Sequence, residues 1–123
     1  MIADTTFLSD FRREQERRLV GPARSLLVRH HGQPFLVSVI SAGEIAVIFD
    51  TTAEARAFLR PYRILRLTPE VAYVAAEIDR ELADQRLGEN DNWIAGFCRY
   101  YGQPLISRDG GFDRVPGLRR LAY

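Results

Sequence analysis

Four acids in this sequence stand where carboxylates could share work. Asp4 directly follows Met1-Ile2-Ala3, an apolar triplet that reads as a short buried strand. Glu44 lies inside Ile40–Phe49, an otherwise almost wholly apolar helical stretch. Asp91 stands at the start of a helix rich in Trp93, Ile94 and Phe97, and Asp109 follows the strand-like run Pro104-Leu105-Ile106-Ser107. Carboxylates in such settings are partly buried, and unpaired buried charge is costly. A cluster of them calls for a cation. Hard divalent ions such as Mg2+ take oxygen ligands and bind through few carboxylates plus water and phosphate. One or two such ions could activate a water and steady the leaving oxygen in an in-line phosphodiester attack.

Each acid alone has a plainer explanation. Asp91, with Asn90, could cap a helix, and Asp4 could cap the helix after the first strand. Asp109 could be a turn residue before Gly110-Gly111. Glu44, amid Ile40, Ile45, Val47 and Ile48, needs a partner, which an arginine could supply as well as a metal.

The elements that must position these acids alternate between strand and helix. Strands are expected near residues 1–3, 34–37, 64–67 and 104–107, with a last edge strand within Leu118–Tyr123. A charged, solvated helix fills 6–20 and breaks near Gly21-Pro22. A second helix starts at Pro22 and stops near His31-Gly32. Ser38 or Ser41 can cap a helix running to about Phe49, and Asp50-Thr51-Thr52 restarts one through Ala53–Arg60. Thr68-Pro69-Glu70 is a strong helix start, and Val71, Val74, Ala75, Ile78 and Leu82 keep helical spacing, with Gly88 as the expected end. Asn90-Asp91-Asn92 opens the next helix, closed by Gly102. Residues 108–117 read as a Gly-rich loop. This order predicts one α/β domain over residues 1–123, with a parallel sheet of four to five strands covered by helices on both faces. Ligands of such sheets bind outside the carboxyl ends of the strands. Asp4 and Asp109 both fall there.

Charge narrows the field. The 17 basic residues are all arginine and the formal net charge is +1, so the chain is no general polyanion binder. Without lysine, a receiver-type phosphorylation site and a P-loop lack a required residue. A dehalogenase-type phosphatase would want Asp-x-Asp after the first strand, where this chain has Asp4-Thr5-Thr6. No apolar run is long enough to cross a bilayer and no signal peptide is evident, so no membrane partner is expected. The single cysteine, Cys98, permits no intrachain disulfide and fits a reducing cytoplasm.

Taken in order, the motifs resemble the PIN-domain family and its VapC-type toxins. The residues are Asp4-Thr5, Ser41-Ala42-Gly43-Glu44, Asn90-Asp91-Asn92-Trp93-Ile94-Ala95 and Ser107-Arg108-Asp109, followed by Gly111-Phe112-Asp113-Arg114-Val115-Pro116-Gly117-Leu118. The resemblance spans essentially the whole chain. It implies a three-layer sandwich of helices around a parallel sheet. It also implies an endoribonuclease toxin of a type II toxin–antitoxin module, dependent on Mg2+ or Mn2+. A homodimer and a cognate antitoxin are implied too. By position, Asp4, Glu44 and Asp91 would be the core catalytic and metal-site acids, and Asp109 a fourth, bound directly or through water. Thr5 or Ser107 would orient an acid or a water. This chain departs from the family pattern at Thr6, where asparagine or a small residue is common, at Gly96, where alanine is usual, and at Gly110-Gly111. The alternative is a PIN-like binding or regulatory subunit without nuclease activity.

Other candidates carry less. His30 and His31 lack metal-ligand spacing and suit a helix end. Cys98 reads as a buried thiol and Trp93 as core. Asp50 reads as a helix cap and Asp113 as a loop residue. Arg12, Arg13, Arg17 and Arg18 form a solvated face that could also hold RNA phosphates.

Overall fold

A computed structural model describes residues 1–123. Its sheet has five strands, β1 (Ile2–Ala3), β2 (Leu36–Ser38), β3 (Arg63–Leu65), β4 (Leu105–Ile106) and β5 (Arg120–Leu121), in the order β3-β2-β1-β4-β5. Every pairing is parallel, with Ile2 opposite both Leu36 and Leu105. Six helices join and flank the strands: α1 (Thr5–Glu16), α2 (Pro22–Arg29), α3 (Val39–Ala46), α4 (Thr52–Leu59), α5 (Pro69–Glu81) and α6 (Glu89–Tyr101).

Alternation along the strands makes the three layers, because successive side chains point to opposite faces. Ile2 and Leu105 join a core with Val71, Ile78, Ile94 and Phe97 of α5 and α6. Their neighbours Ala3 and Ile106 join a second core with Phe7, Leu8, Leu26, Ile45 and Leu59 of α1 to α4. Buried on both faces, β1 and β4 show an unbroken apolar run rather than a polar–apolar alternation. The chain moves outward from β1 through β2 to β3 and then crosses back to β4 on the other side of β1. That reversal opens a crevice at the carboxyl ends of β1 and β4.

The helix signals work locally. Ser38 Oγ accepts from Ser41 N at 3.0 Å and starts α3. Thr68 Oγ1 accepts from Val71 N and starts α5, with Pro69 in its first turn. Gly102 ends α6 in the left-handed region at φ 61°.

Several boundaries differ from the sequence expectation. α1 stops at Glu16 rather than near residue 20, because its apolar stripe ends and Arg18 takes φ 54°. α5 ends at Glu81, not Gly88. Leu82 is its last buried side chain, and Ala83-Asp84-Gln85-Arg86 have nothing to cover. Gly88 instead sits at the amino-terminal cap of α6. Thr51, not Asp50, caps α4, with Oγ1 3.2 Å from Glu54 N. The loop after β4 winds into a short 3-10 helix, Gly110–Arg114.

Glu14 has a role that its charged neighbourhood hid. Its carboxylate accepts from Gly21 N, Ala23 N and Arg24 N at 2.8–3.1 Å. It thereby caps α2 from the preceding helix and locks the α1–α2 joint. No helix is long and apolar enough to cross a membrane.

Candidate active site

Asp4 leaves β1 at the crevice. It occupies the amino-terminal cap position of α1, yet its side chain makes no capping bond. Oδ2 accepts instead from Ser107 Oγ at 2.7 Å and Thr6 Oγ1 at 3.0 Å. Asp4 is only 3% exposed. Its Oδ1 has no protein donor and is not sealed from solvent, so a buried carboxylate turns one free oxygen toward the crevice.

Glu44 projects from α3, half-buried. Thr5 Oγ1 donates to its Oε2, and Asn90 Nδ2 donates to Oε1 at 2.8 Å. No arginine pairs with it. Asp91 sits in the first turn of α6 but does not cap it, since Gly88 holds the cap position without a side-chain bond. Asp91 is half-buried, and its carboxyl is pushed up to about 6, first by burial and then by the charges of Asp4, Asp109 and Glu44. The four acids thus share one electrostatic field at the carboxyl edge of the sheet.

Asp109 lies at the rim, exposed. Its Oδ1 accepts from Gly111 N at 2.8 Å, so the turn role is real. Its backbone N–H donates to Ser107 Oγ at 3.0 Å. Ser107, fully buried, therefore connects Asp4 to Asp109. Thr6 adds a second tie, because its Oγ1 accepts from Arg108 N at 3.3 Å while donating to Asp4. Sequence reasoning gave Asn90 only a capping role and assigned no work to Thr6. Their proximity to Asp4 and Asp91 in the chain was the only available signal.

An open cleft of about 410 Å3 is lined by Glu44, Gly88, Glu89, Asn90 and Asp91, with no hydrophobic side chain. No three acids converge closely enough to enclose one ion unaided. The donor set still fits a hard divalent cation. It offers only oxygen, it leaves Asp4 Oδ1 free, and none of the four acids is ion-paired with an arginine. Mg2+ keeps several waters and needs only one or two carboxylates.

The remaining candidates lie elsewhere. Arg12 is engaged by Glu16 at 2.9 Å, by the Ile48 carbonyl and by the Phe49 ring at 4.4 Å. Arg13 reaches Asp10. Arg17 and Arg18 follow the far end of α1, roughly 20 Å along the axis from Asp4 at 1.5 Å per residue. His31 hydrogen-bonds the Val28 carbonyl through Nδ1, and His30 caps α2. Burial pushes the Cys98 thiol up and keeps it inert. Asp113 is paired with Arg120 at 2.8 Å. A second acid network, unforeseen from sequence, centres on buried Asp10, which accepts from Arg13 and Tyr123 and is ion-paired with Arg108.

The family model described as PIN domain matches residues 1–118. Among solved structures, the chain is similar to a chain of VapBC2 from Rickettsia felis bound to a DNA fragment from their promoter, with TM-score 0.79 and 16% identity over 99% of this chain and 97% of that one. It is also similar to a chain of DNA-bound VapBC from Salmonella typhimurium, with TM-score 0.77 and 20% identity over 98% and 96%. FitAcB from Neisseria gonorrhoeae gives TM-score 0.76 and 17% identity over 98% and 95%. At these identities the likeness is one of fold. No curated protein sequence matches.

Proposed function

The chain belongs to the PIN-domain family, and from that premise we propose that it is a metal-dependent endoribonuclease, the toxin of a type II toxin–antitoxin module. The observation that carries this reading is the buried, doubly anchored Asp4 with one oxygen free, set in the shared field of Glu44, Asp91 and Asp109. Asp4, Glu44 and Asp91 would hold Mg2+ or Mn2+, with Asp109 bound directly or through water. Bound there, the ion would supply positive charge for water attack on a phosphodiester. The chain's own contribution is placement. Ser107 and Thr6 fix Asp4, and Thr5 and Asn90 fix Glu44. Asp91, held partly neutral without a cation, would release its proton when one binds.

The proposed substrate is single-stranded RNA, with Arg17 and Arg18 reaching at most its flanking phosphates. The proposed protein partner is a cognate antitoxin, supported by similar chains that come from VapBC complexes. The cytoplasm is the proposed location. A small adjacent reading frame for a DNA-binding protein would support the module.

Asp4→Asn tests the site. It preserves shape and removes the charge, so cleavage of single-stranded RNA in Mg2+ or Mn2+ should fall to background. Glu44→Gln and Asp91→Asn should act alike, and Asp109→Asn more mildly. Thermal melts without metal should be unchanged or slightly higher for Asp4→Asn, because one repelling charge is gone. Native cleavage by Asp4→Asn would refute the assignment. A wild-type protein that binds RNA but never cuts it would favour the binding-subunit alternative.

A further inference from the structure

Four arginines follow β4, and three are accounted for. Arg108 Nε lies 2.7 Å from Asp10 Oδ2. Arg120 is held by both oxygens of Asp113 and by the Ser107 carbonyl. Arg119 lies with Gly102, Gln103 and Gly117 at the amino edge of the sheet, opposite the acids.

Arg114 differs. It is exposed and belongs to no ion pair. Its Nε donates to the Gly111 carbonyl at 3.1 Å, which fixes the guanidinium plane and leaves both Nη groups without an acceptor. A Cβ placed on Gly111 would stand 3.0 Å from Asp109 Oδ1 and 3.2 Å from Arg114 Nη2. One glycine therefore lets a carboxylate of the cleft and a tethered guanidinium sit side by side. Gly111 does not adopt a positive φ, so the effect of a side chain there would be to push Asp109 and Arg114 aside by a few tenths of an ångström.

The four acids at the carboxyl edge of the sheet repel a polynucleotide backbone. A guanidinium beside them offsets that repulsion and offers two parallel N–H donors to phosphate oxygens. Because its plane is already held, little rotamer freedom is lost on binding. We propose that Arg114 binds the non-bridging oxygens of a backbone phosphate of single-stranded RNA beside the acidic cleft, and that Gly111 keeps it there. This assignment rests on the nuclease reading above.

The test is fluorescence anisotropy with a labelled, mixed-sequence 12-nucleotide single-stranded RNA. It is run in EDTA to prevent cleavage, across a potassium chloride series, beside thermal melts and a Mg2+ cleavage assay. Arg114→Gln should weaken binding about five- to tenfold and reduce the slope of log K against log salt by about 0.7, the value for one phosphate contact to a single strand. Its melting temperature should not move. Arg114→Lys should keep the slope and recover part of the affinity, having charge without the fork. Gly111→Ala should weaken binding while remaining folded. If wild type cuts the RNA and Arg114→Gln binds with wild-type affinity and slope, the Arg114 assignment is overturned while the nuclease reading stands. A lower melting temperature with an unchanged slope overturns it as well, in favour of a purely structural role. A wild-type protein that neither binds nor cuts the RNA removes the nuclease reading and this inference together.

Discussion

Ser107 Oγ donates to Asp4 Oδ2 at 2.7 Å across 103 positions of sequence, joining the carboxyl ends of β4 and β1 inside the protein. The same oxygen receives the Asp109 N–H, so one hydroxyl sets the spacing of two acids. Ser107→Ala should lower RNA cleavage about 10- to 100-fold, the usual effect of losing a group that orients a ligand. Ser107→Thr should retain more. The loss should appear in kcat and in the Mg2+ concentration needed for half-activity, with a folded protein throughout. Unchanged kinetics for Ser107→Ala would show that Thr6 alone suffices.

Asp91 gives the metal-free protein a pH dependence of predictable sign. Its carboxyl rises from an ordinary 3.8 to about 6 on folding. A raised value means that the folded state holds the proton more tightly than the unfolded chain. The associated stability is present below about 4 and is lost as pH rises through about 6. Because Asp91 is only half-buried, the effect should be ~1 kcal/mol rather than the full shift. Melts in EDTA at pH 5 and 7.5 should differ accordingly. Asp91→Asn should flatten the difference, and Mg2+ should restore stability at pH 7.5. A profile identical in wild type and Asp91→Asn would contradict this.

Assembly should follow from α3. Val39, Gly43 and Val47 recur every fourth residue and stay open to solvent, with Val47 82% exposed. Ile48 and Ile64 add further exposed apolar surface. Such a face is expected to meet its counterpart on a second copy. Wild type should scatter light as a dimer at tens of micromolar. Val47→Asp should shift it toward monomer without unfolding it, because that side chain is largely exposed. A wild-type monomer at high micromolar concentration would refute the dimer.

Gly96 marks the closest approach of α5 and α6. A Cβ there would meet Ala75 Cβ at 2.9 Å and the Val71 carbonyl at 3.1 Å. Gly96→Ala should destabilise the protein by about 1–3 kcal/mol, through overpacking against atoms that cannot swing aside. Denaturant melts would measure it. A more stable Gly96→Ala protein would mean that α5 shifts freely, in which case the helix preference for alanine would dominate.

What was legible in the sequence was whatever rests on local chemistry. Thr68-Pro69 and Gly102 marked their helix ends because capping depends on a few adjacent residues. The order of strands and helices gave the layered parallel sheet, and the four acids were named before their field was known. What stayed hidden depends on distant partners. Glu14 looks solvated until α2 folds back onto it, and Asp10 until Tyr123 and Arg108 arrive. Gly88 looks like a helix end because glycine serves at either terminus, and only the exposure of residues 83–86 shows which. Thr6 read as a departure from a pattern, and only Ser107 and Arg108 beside it reveal a hydroxyl with two partners.

The central place of β1 has a consequence for how the protein is made. Synthesis delivers β1 first, yet it must pair with β2 on one side and β4 on the other. Asp4 can be anchored only once Ser107 has been added. Such long-range closure is slow compared with local helix formation. Until β4 and Ser107 have emerged, the growing chain carries Asp4 without its anchor. A product truncated before β4 would lack that anchor permanently. The proposed nuclease site would therefore exist only once β4 has joined β1.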